Sequence, residues 1–357
     1  MSVNCVLHVG MHKCGSSAIQ QALSLHPVLE KESGNGRFVY AAITSDGWLL
    51  RGDALRREMA VRAQSYVSSA SWRDLAGFGD VRMSLLRTLL GRLVRGNDSV
   101  ILSNEGWGNQ FAVFQRHRLL ERMGLRCHVV VYVRPQVAWL NSAWWQWGAW
   151  GDMPLQRWAN TRRLEWHRVV EGWRNTPGVE KVSVRLLPGD IVTDFARVIG
   201  AVTPPHRDEA NVSLPGSVLR VLQRHRELRP DPHSSEIEFV LSRHLKMEKG
   251  KTPWVLPPEL IDRILKQTHD SNISLMECLD DEQKALMQND PAWWSDEYYA
   301  DRKLEPCQPQ EPNAAELDEL VAALFDAMHK LDMRHRQMLA GGWSRPWWRR
   351  ILRRLLK

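Results

Sequence analysis

No stretch of this 357-residue chain approaches the ~20 consecutive apolar residues that a bilayer-spanning helix requires. The N-terminus runs straight into a strand-like pattern and lacks the layout of a secretion signal, so a cytoplasmic protein is expected. Cysteine is scarce. The five residues, at positions 5, 14, 127, 278 and 307, are odd in number and show no C-x-x-C spacing. That pattern speaks against a zinc site or a disulfide framework and fits a reducing compartment. No repeat with a period of about 20–50 residues is present, which excludes solenoids and propellers. Acidic residues are missing from 344–357, where Arg345, Arg349, Arg350, Arg353, Arg354 and Lys357 lie. Without those six cations the net charge of +7 falls nearly to zero. The basicity therefore belongs to a tail and not to a nucleic-acid-binding face, and no nucleic-acid partner is expected.

What is present is an ordinary globular composition, 43% hydrophobic and 25% charged, with length enough for one large α/β core. The first twenty residues carry the sharpest signal. The apolar run Cys5-Val6-Leu7-His8-Val9 breaks at Gly10 into Met11-His12-Lys13-Cys14-Gly15-Ser16-Ser17, and a helical pattern follows. A strand feeding a glycine-bracketed loop and a helix N-terminus makes a phosphate cradle, because the helix start offers unpaired N–H groups and partial positive charge. The spacing of Gly10 and Gly15 fits the start of a Walker A loop, but Ser16-Ser17 stands where Lys-Ser/Thr would be required. The lysine lies inside the loop, at Lys13. That displacement argues against an ordinary ATPase or GTPase.

A second signal comes more than a hundred residues later. Cys127-His128-Val129-Val130-Val131-Tyr132-Val133 reads as a buried strand ending at Arg134-Pro135, and Ser142 follows Arg134 by eight positions, about two helical turns. Together these segments resemble the sulfotransferases that use 3′-phosphoadenosine-5′-phosphosulfate (PAPS), most closely their bacterial branch. Lys13-Cys14-Gly15-Ser16-Ser17 is similar to that family's 5′-phosphosulfate loop, which usually reads His-Lys-Thr/Ser-Gly-Thr/Ser. Cys14 departs at one position, so no contact rests on its side chain. Arg134 and Ser142 are similar to the pair that holds the donor's 3′-phosphate. Val184-Arg185, Asp194-Phe195 and Ile199-Gly200 resemble a "VR…DF…IG" section, Asn211-Val212-Ser213-Leu214 an "N-x-S-L" turn, and Asn272 has a counterpart in a later helix. The resemblance spans roughly residues 3 to 300.

It implies sulfuryl transfer to a hydroxyl, with 3′-phosphoadenosine-5′-phosphate as the product. Lys13 would meet the bridging oxygen, while the N–H groups of Gly15 to Ser17 and the two hydroxyls would hold the 5′-phosphate. A sulfuryl group carries less charge than a phosphoryl group, so no metal is required. For the general base Glu105 is the first candidate, just past the run Ser99-Val100-Ile101-Leu102, and His12 is the rival. His8 reads as a core residue. Of the 17 tryptophans, Trp139, Trp144, Trp145, Trp147 and Trp150 crowd one helix. Some of them are expected to line a cleft suited to a sugar ring or lipid, with Trp107 joining. The acceptor reading is a hydroxyl-bearing glycan or glycolipid. Two alternatives come from other classes: a P-loop kinase using ATP, and a non-catalytic nucleotide-binding protein recruited to a membrane.

Strands are expected at 3–10, 99–103, 127–133 and 181–187. Helices are expected near 16–25, 53–66, 81–95, 111–123, 137–147 and 157–174. That alternation predicts an α/β fold, a P-loop-type parallel sheet with helices on both faces and a helical C-terminal extension. The expected division is an α/β domain over 1–300, a proline-rich linker and capping helix over 301–343, and a basic amphipathic tail helix over 344–357. In the second part, Asn313 with Glu316 predicts a capping box. Leu317, Leu320, Val321, Leu324, Met328 and Leu331 form an apolar stripe for packing on the core or on a second subunit of a homodimer. In the tail, Trp347, Trp348, Ile351, Leu352, Leu355 and Leu356 oppose the arginines, the makeup of an anchor to an anionic membrane surface at the inner face of the cytoplasmic membrane.

Overall fold

The computed structural model describes residues 4–206, 214–245, 247 and 252–343. The expected tail helix over 344–357 and the expected turn at Asn211, Val212 and Ser213 lie outside the described residues. The chain forms two compact units, one of Met1–Val212 with Trp254–Cys307 and one of Ser213–Pro253 with Gln308–Lys357.

The first unit is built on a seven-stranded sheet. Its strands are β1 (Cys5–His8), β2 (Val28–Glu30), β3 (Arg37–Ile43), β4 (Leu49–Arg51), β5 (Ser99–Ser103), β6 (Cys127–Val133) and β7 (Val179–Leu186). The order is β2-β3-β5-β1-β6-β7, with β4 on β3. Every residue of β1, β5 and β6 is buried, as continuous apolar runs covered on both faces should be. These three strands run parallel; β1 and β5 end as a register pair at His8 and Ser103, and β6 runs on past Val130, the partner of His8, to Val133. The sheet as a whole is mixed, which corrects the purely parallel expectation. β2 and β4 lie antiparallel to β3. The turns on either side of β3 are too short for the crossover that a parallel neighbour needs.

Ten helices fall between β1 and residue 200: α1 (Ser16–Leu25), α2 (Gly52–Val61), α3 (Trp72–Gly77), α4 (Asp80–Leu93), α5 (Phe111–Arg116), α6 (Leu119–Arg122), α7 (Gln136–Trp147), α8 (Leu155–Asn160), α9 (Trp166–Arg174) and α10 (Ile191–Ile199). Three differ from expectation. The helix expected to reach residue 66 stops when Arg62 turns extended. The 111–123 helix is broken by Arg118, whose φ of +45° is left-handed. The 157–174 helix splits after Thr161, whose hydroxyl donates to the Trp158 carbonyl at 2.7 Å and ends the first segment. Helices α11 (Gly216–Arg224) and α12 (Glu236–His244) belong to the second unit, α13 (Pro258–Met276) and α14 (Asp281–Asn289) to the first, and α15 (Ala314–Trp343) closes the second. The Asn313–Glu316 capping box forms with reciprocal 2.9 Å bonds at the start of α15. Among the described residues no helix is long and apolar enough to cross a membrane.

The segment Val184 to Gly200 is held by a buried ion pair. Arg185 donates to Asp194 through Nη2 at 2.6 Å and Nε at 3.1 Å, and the Tyr132 hydroxyl adds a bond at 2.8 Å. Burial favours the neutral acid, but Arg185, Arg197 and Tyr132 outweigh it and hold the Asp194 carboxyl below its usual range.

Two core histidines carry a pH dependence. His8 bonds Ser103 Oγ and His128 bonds Ser183 Oγ, each at 2.8 Å. Burial pushes both imidazoles from 6.5 down to about 4. Between those values the unfolded chain takes up protons that the fold refuses, so stability is complete above 6.5 and falls toward pH 4. The melting temperature is expected to drop across that window and to drop less in His128→Gln. A melting temperature that stays level in both proteins would refute this assignment.

Candidate functional site

The site lies at the carboxyl ends of β1, β5 and β6, the edge at which open α/β sheets bind ligands. Beyond β1 the loop is stitched to β6: Tyr132 N donates to Gly10 O at 2.9 Å, and Met11 N to Tyr132 O at 3.1 Å. Gly10 has φ +97°, and a Cβ there would sit 2.8 Å from the Glu105 carbonyl oxygen. Only glycine lets the loop and the backbone of Glu105 approach this closely. Gly15, at φ +83°, is the N-cap of α1 and supplies no side-chain cap, and the first turn has no acidic residue. The N–H groups of Gly15, Ser16 and Ser17 therefore face the loop with the positive end of α1 behind them.

The other loop side chains divide between structure and site. Cys14 is buried, and burial pushes its thiol up to about 12, leaving it an inert packing group. Ser16 is buried too, and its hydroxyl donates to Met11 O at 3.4 Å, so it contributes its backbone and not its hydroxyl. Ser17 is half-buried and hydrogen-bonded to the Tyr66 phenol. Lys13, at φ +59°, donates from Nζ to Gln146 Oε1 at 3.2 Å.

Arg134 leaves the end of β6 and turns onto the loop, with Nη1 donating to the Lys13 carbonyl at 3.3 Å. Its own carbonyl is fixed by Trp166 Nε1 at 2.9 Å. Helix α7 then buries nearly its whole circumference. Ala138, Ser142 and Gln146, spaced one turn apart, are half-buried and form a strip that leads from Arg134 toward Lys13, with Trp147 beside it. The sequence brought Arg134, Ser142 and Lys13 forward; Gln146 it did not, since a glutamine one turn past Ser142 has no signature of its own.

The two candidate bases adjoin. His12 Nδ1 lies 3.4 Å from Glu105 Oε1, both side chains about one-third exposed. Glu105 opens a 3-10 turn, Glu105–Gln110, capped by Asn104 Oδ1 accepting from Gly106 N at 2.7 Å. Partial burial would raise the Glu105 pKa, but the contact with His12 and the charges of His12, Lys13 and His8 hold it below the usual glutamate value. It is a carboxylate at neutral pH. His12 also meets Trp147 edge to face, ring centroids 5.2 Å apart. Tyr66 faces the same group: burial and then the Glu105 charge push its phenol up to about 12. Tyr66 is the second residue that the sequence did not bring forward.

The tryptophan expectation needs correcting. Trp139, Trp144, Trp145 and Trp150 are all buried, and Trp147 alone of the five is half-open. They reach burial together because α7 is enclosed on three sides, Trp139 packing edge-on to Trp166 and Trp144 to Trp158. Trp107 is fully buried against Phe114 and donates to Ala70 O at 3.1 Å, so it lines no cleft. Asn272 is also a core residue, bonded to Gln136. Among the described residues no group of three or more His, Cys, Asp or Glu side chains could hold a metal ion. Comparison with protein-family models, curated proteins and solved structures gives no match to this chain.

Proposed function

We propose that the protein is a PAPS-dependent sulfotransferase on a P-loop-type α/β fold, acting on a hydroxyl of a glycan or glycolipid. The observation that carries this reading is the meeting of Lys13 and Arg134 at one uncapped helix start, the guanidinium 3.3 Å from the lysine's own carbonyl. Arg134 fixed on the loop backbone, with Lys13 Nζ held at Gln146 on the helix that Arg134 precedes, would suit one ligand with phosphates at both ends. Arg134, with its bidentate fork, and Ser142 would take the 3′-phosphate. The N–H groups from Gly15 to Ser17 would take the 5′-phosphate. Lys13 would leave Gln146 for the bridging oxygen.

In the reaction the acceptor oxygen attacks sulfur in line as the bond from sulfur to the bridging oxygen breaks. The electron pair goes to the 5′-phosphate, where Lys13 offsets the growing charge, by analogy with phosphoryl transfer. The acceptor proton passes to Glu105, with His12 as its neighbour in the proton path. Trp147 offers an aromatic wall next to this pair, suited to a sugar face. Residues 344–357 would hold the enzyme at an anionic cytoplasmic membrane surface.

Calorimetric titration tests the donor assignment. The parent protein should bind 3′-phosphoadenosine-5′-phosphate more tightly than ADP with or without Mg²⁺. Arg134→Ala should weaken the first roughly 10–100-fold, the worth of a charge-assisted phosphate contact, and leave ADP nearly unchanged. Tighter binding of ADP with Mg²⁺, undisturbed by the substitution, would instead make the protein an ATP-dependent kinase.

A further inference from the structure

Helix α15 has two apolar faces. Leu320, Ala323 and Ala327 are buried on the side toward α11, where Arg220 Nη1 pairs with Glu316 Oε1 at 2.9 Å. Of the sequence stripe, Leu320 belongs to that face, and the other five residues lie beside it. Leu317, Val321, Leu324, Met328 and Leu331 alternate in spacings of four and three, the seam of a two-stranded coiled coil. All but the half-buried Leu324 are exposed, Met328 at 65%, and Phe325 on the seam's flank is 68% exposed. Charge along the helix is segregated. Residues 314–328 hold Glu316, Asp318, Glu319 and Asp326 with no Lys or Arg, whereas 329–343 hold Lys330, Arg334 and Arg336 against Asp332.

We propose that this seam is closed by α15 of a second copy of the chain, running antiparallel. A parallel pair would stack carboxylates on carboxylates and cations on cations. The antiparallel pair sets each acidic half against a basic one, and that complementarity selects both the occupant and its direction. A 30-residue helix is ~45 Å long, so the four layers from Val321 to Leu331 fit well within one pairing. Centred between Leu324 and Met328, the register sets Val321 against the partner subunit's Leu331. Phe325 then lies near the twofold axis.

Sedimentation velocity on the full chain should show a dimer at micromolar concentration. Phe325→Glu with Met328→Glu, both at exposed positions, should leave the melting curve in place. It should raise the dissociation constant by about 100-fold or more, since two charges from each chain would enter the interface without partners. Oxidative cross-linking fixes the direction independently of that variant. A mixture of Val321→Cys and Leu331→Cys chains should give the mixed 321–331 disulfide by peptide mass, and neither chain alone should cross-link at its own position. A monomeric parent chain, which would leave the seam for a different protein or a lipid surface, overturns the proposal. So does a dimer indifferent to the two glutamates, or a Val321→Cys chain that links to itself.

Discussion

Glu105→Gln should bind 3′-phosphoadenosine-5′-phosphate about as tightly as the parent protein and lose about 10²–10⁴-fold in turnover, the usual worth of a positioned general base. The amide keeps the size of the side chain and its place beside His12, and the 3-10 turn is capped by Asn104 regardless of residue 105. Only the capacity to accept a proton is removed. The pH profile gives a second reading of the same group. Because the Glu105 pKa is held down, the acid limb of turnover should lie below the ordinary glutamate value, and the rate should stay level through the range where an imidazole titrates. Retained turnover in Glu105→Gln, or an acid limb in the histidine range, would transfer the role to His12.

Asp194→Ala should cost about 3–5 kcal/mol of stability, because it strands a guanidinium in a nearly dry site. Arg185 and Asp194 are each more than nine-tenths buried, and the remaining partners of Arg185, Asp280 and Glu282, stand 3.3 Å away and more than half exposed. They cannot replace a bidentate carboxylate. Arg197→Ala removes a mostly exposed partner of the same carboxylate and should cost less than ~1 kcal/mol. Urea unfolding of the two variants measures the contrast. Equal, small losses would mean that water reaches Arg185.

The parts of the fold that could be read from sequence are those where one local pattern decides the outcome. β1, β5 and β6 are buried on both faces, so their residues form unbroken apolar runs. β7 was nearly as plain. β2 and β4 have three residues each and β3 carries Arg37 at its outer end, so their pairing depends on turns and neighbours, not on periodicity. In the site, Lys13, Gly15 and Arg134 could be recognised because backbone geometry and charge restrict such positions to few residue types. Tyr66 could not. It reaches Ser17 from an irregular stretch whose path exists only once the sheet has formed. The tryptophans misled for a related reason: a helix apolar on every side signals enclosure, and crowding alone does not distinguish a cleft from a core.

The single open strip of α7 also bears on how this protein could be altered. Every other face of that helix is committed to packing, where a change of one methylene is felt. Ala138, Ser142, Gln146 and Trp147 can vary with little effect on the core. A library confined to those four codons would explore new ligand preferences while leaving the scaffold intact, and selection in nature has the same small palette to draw on.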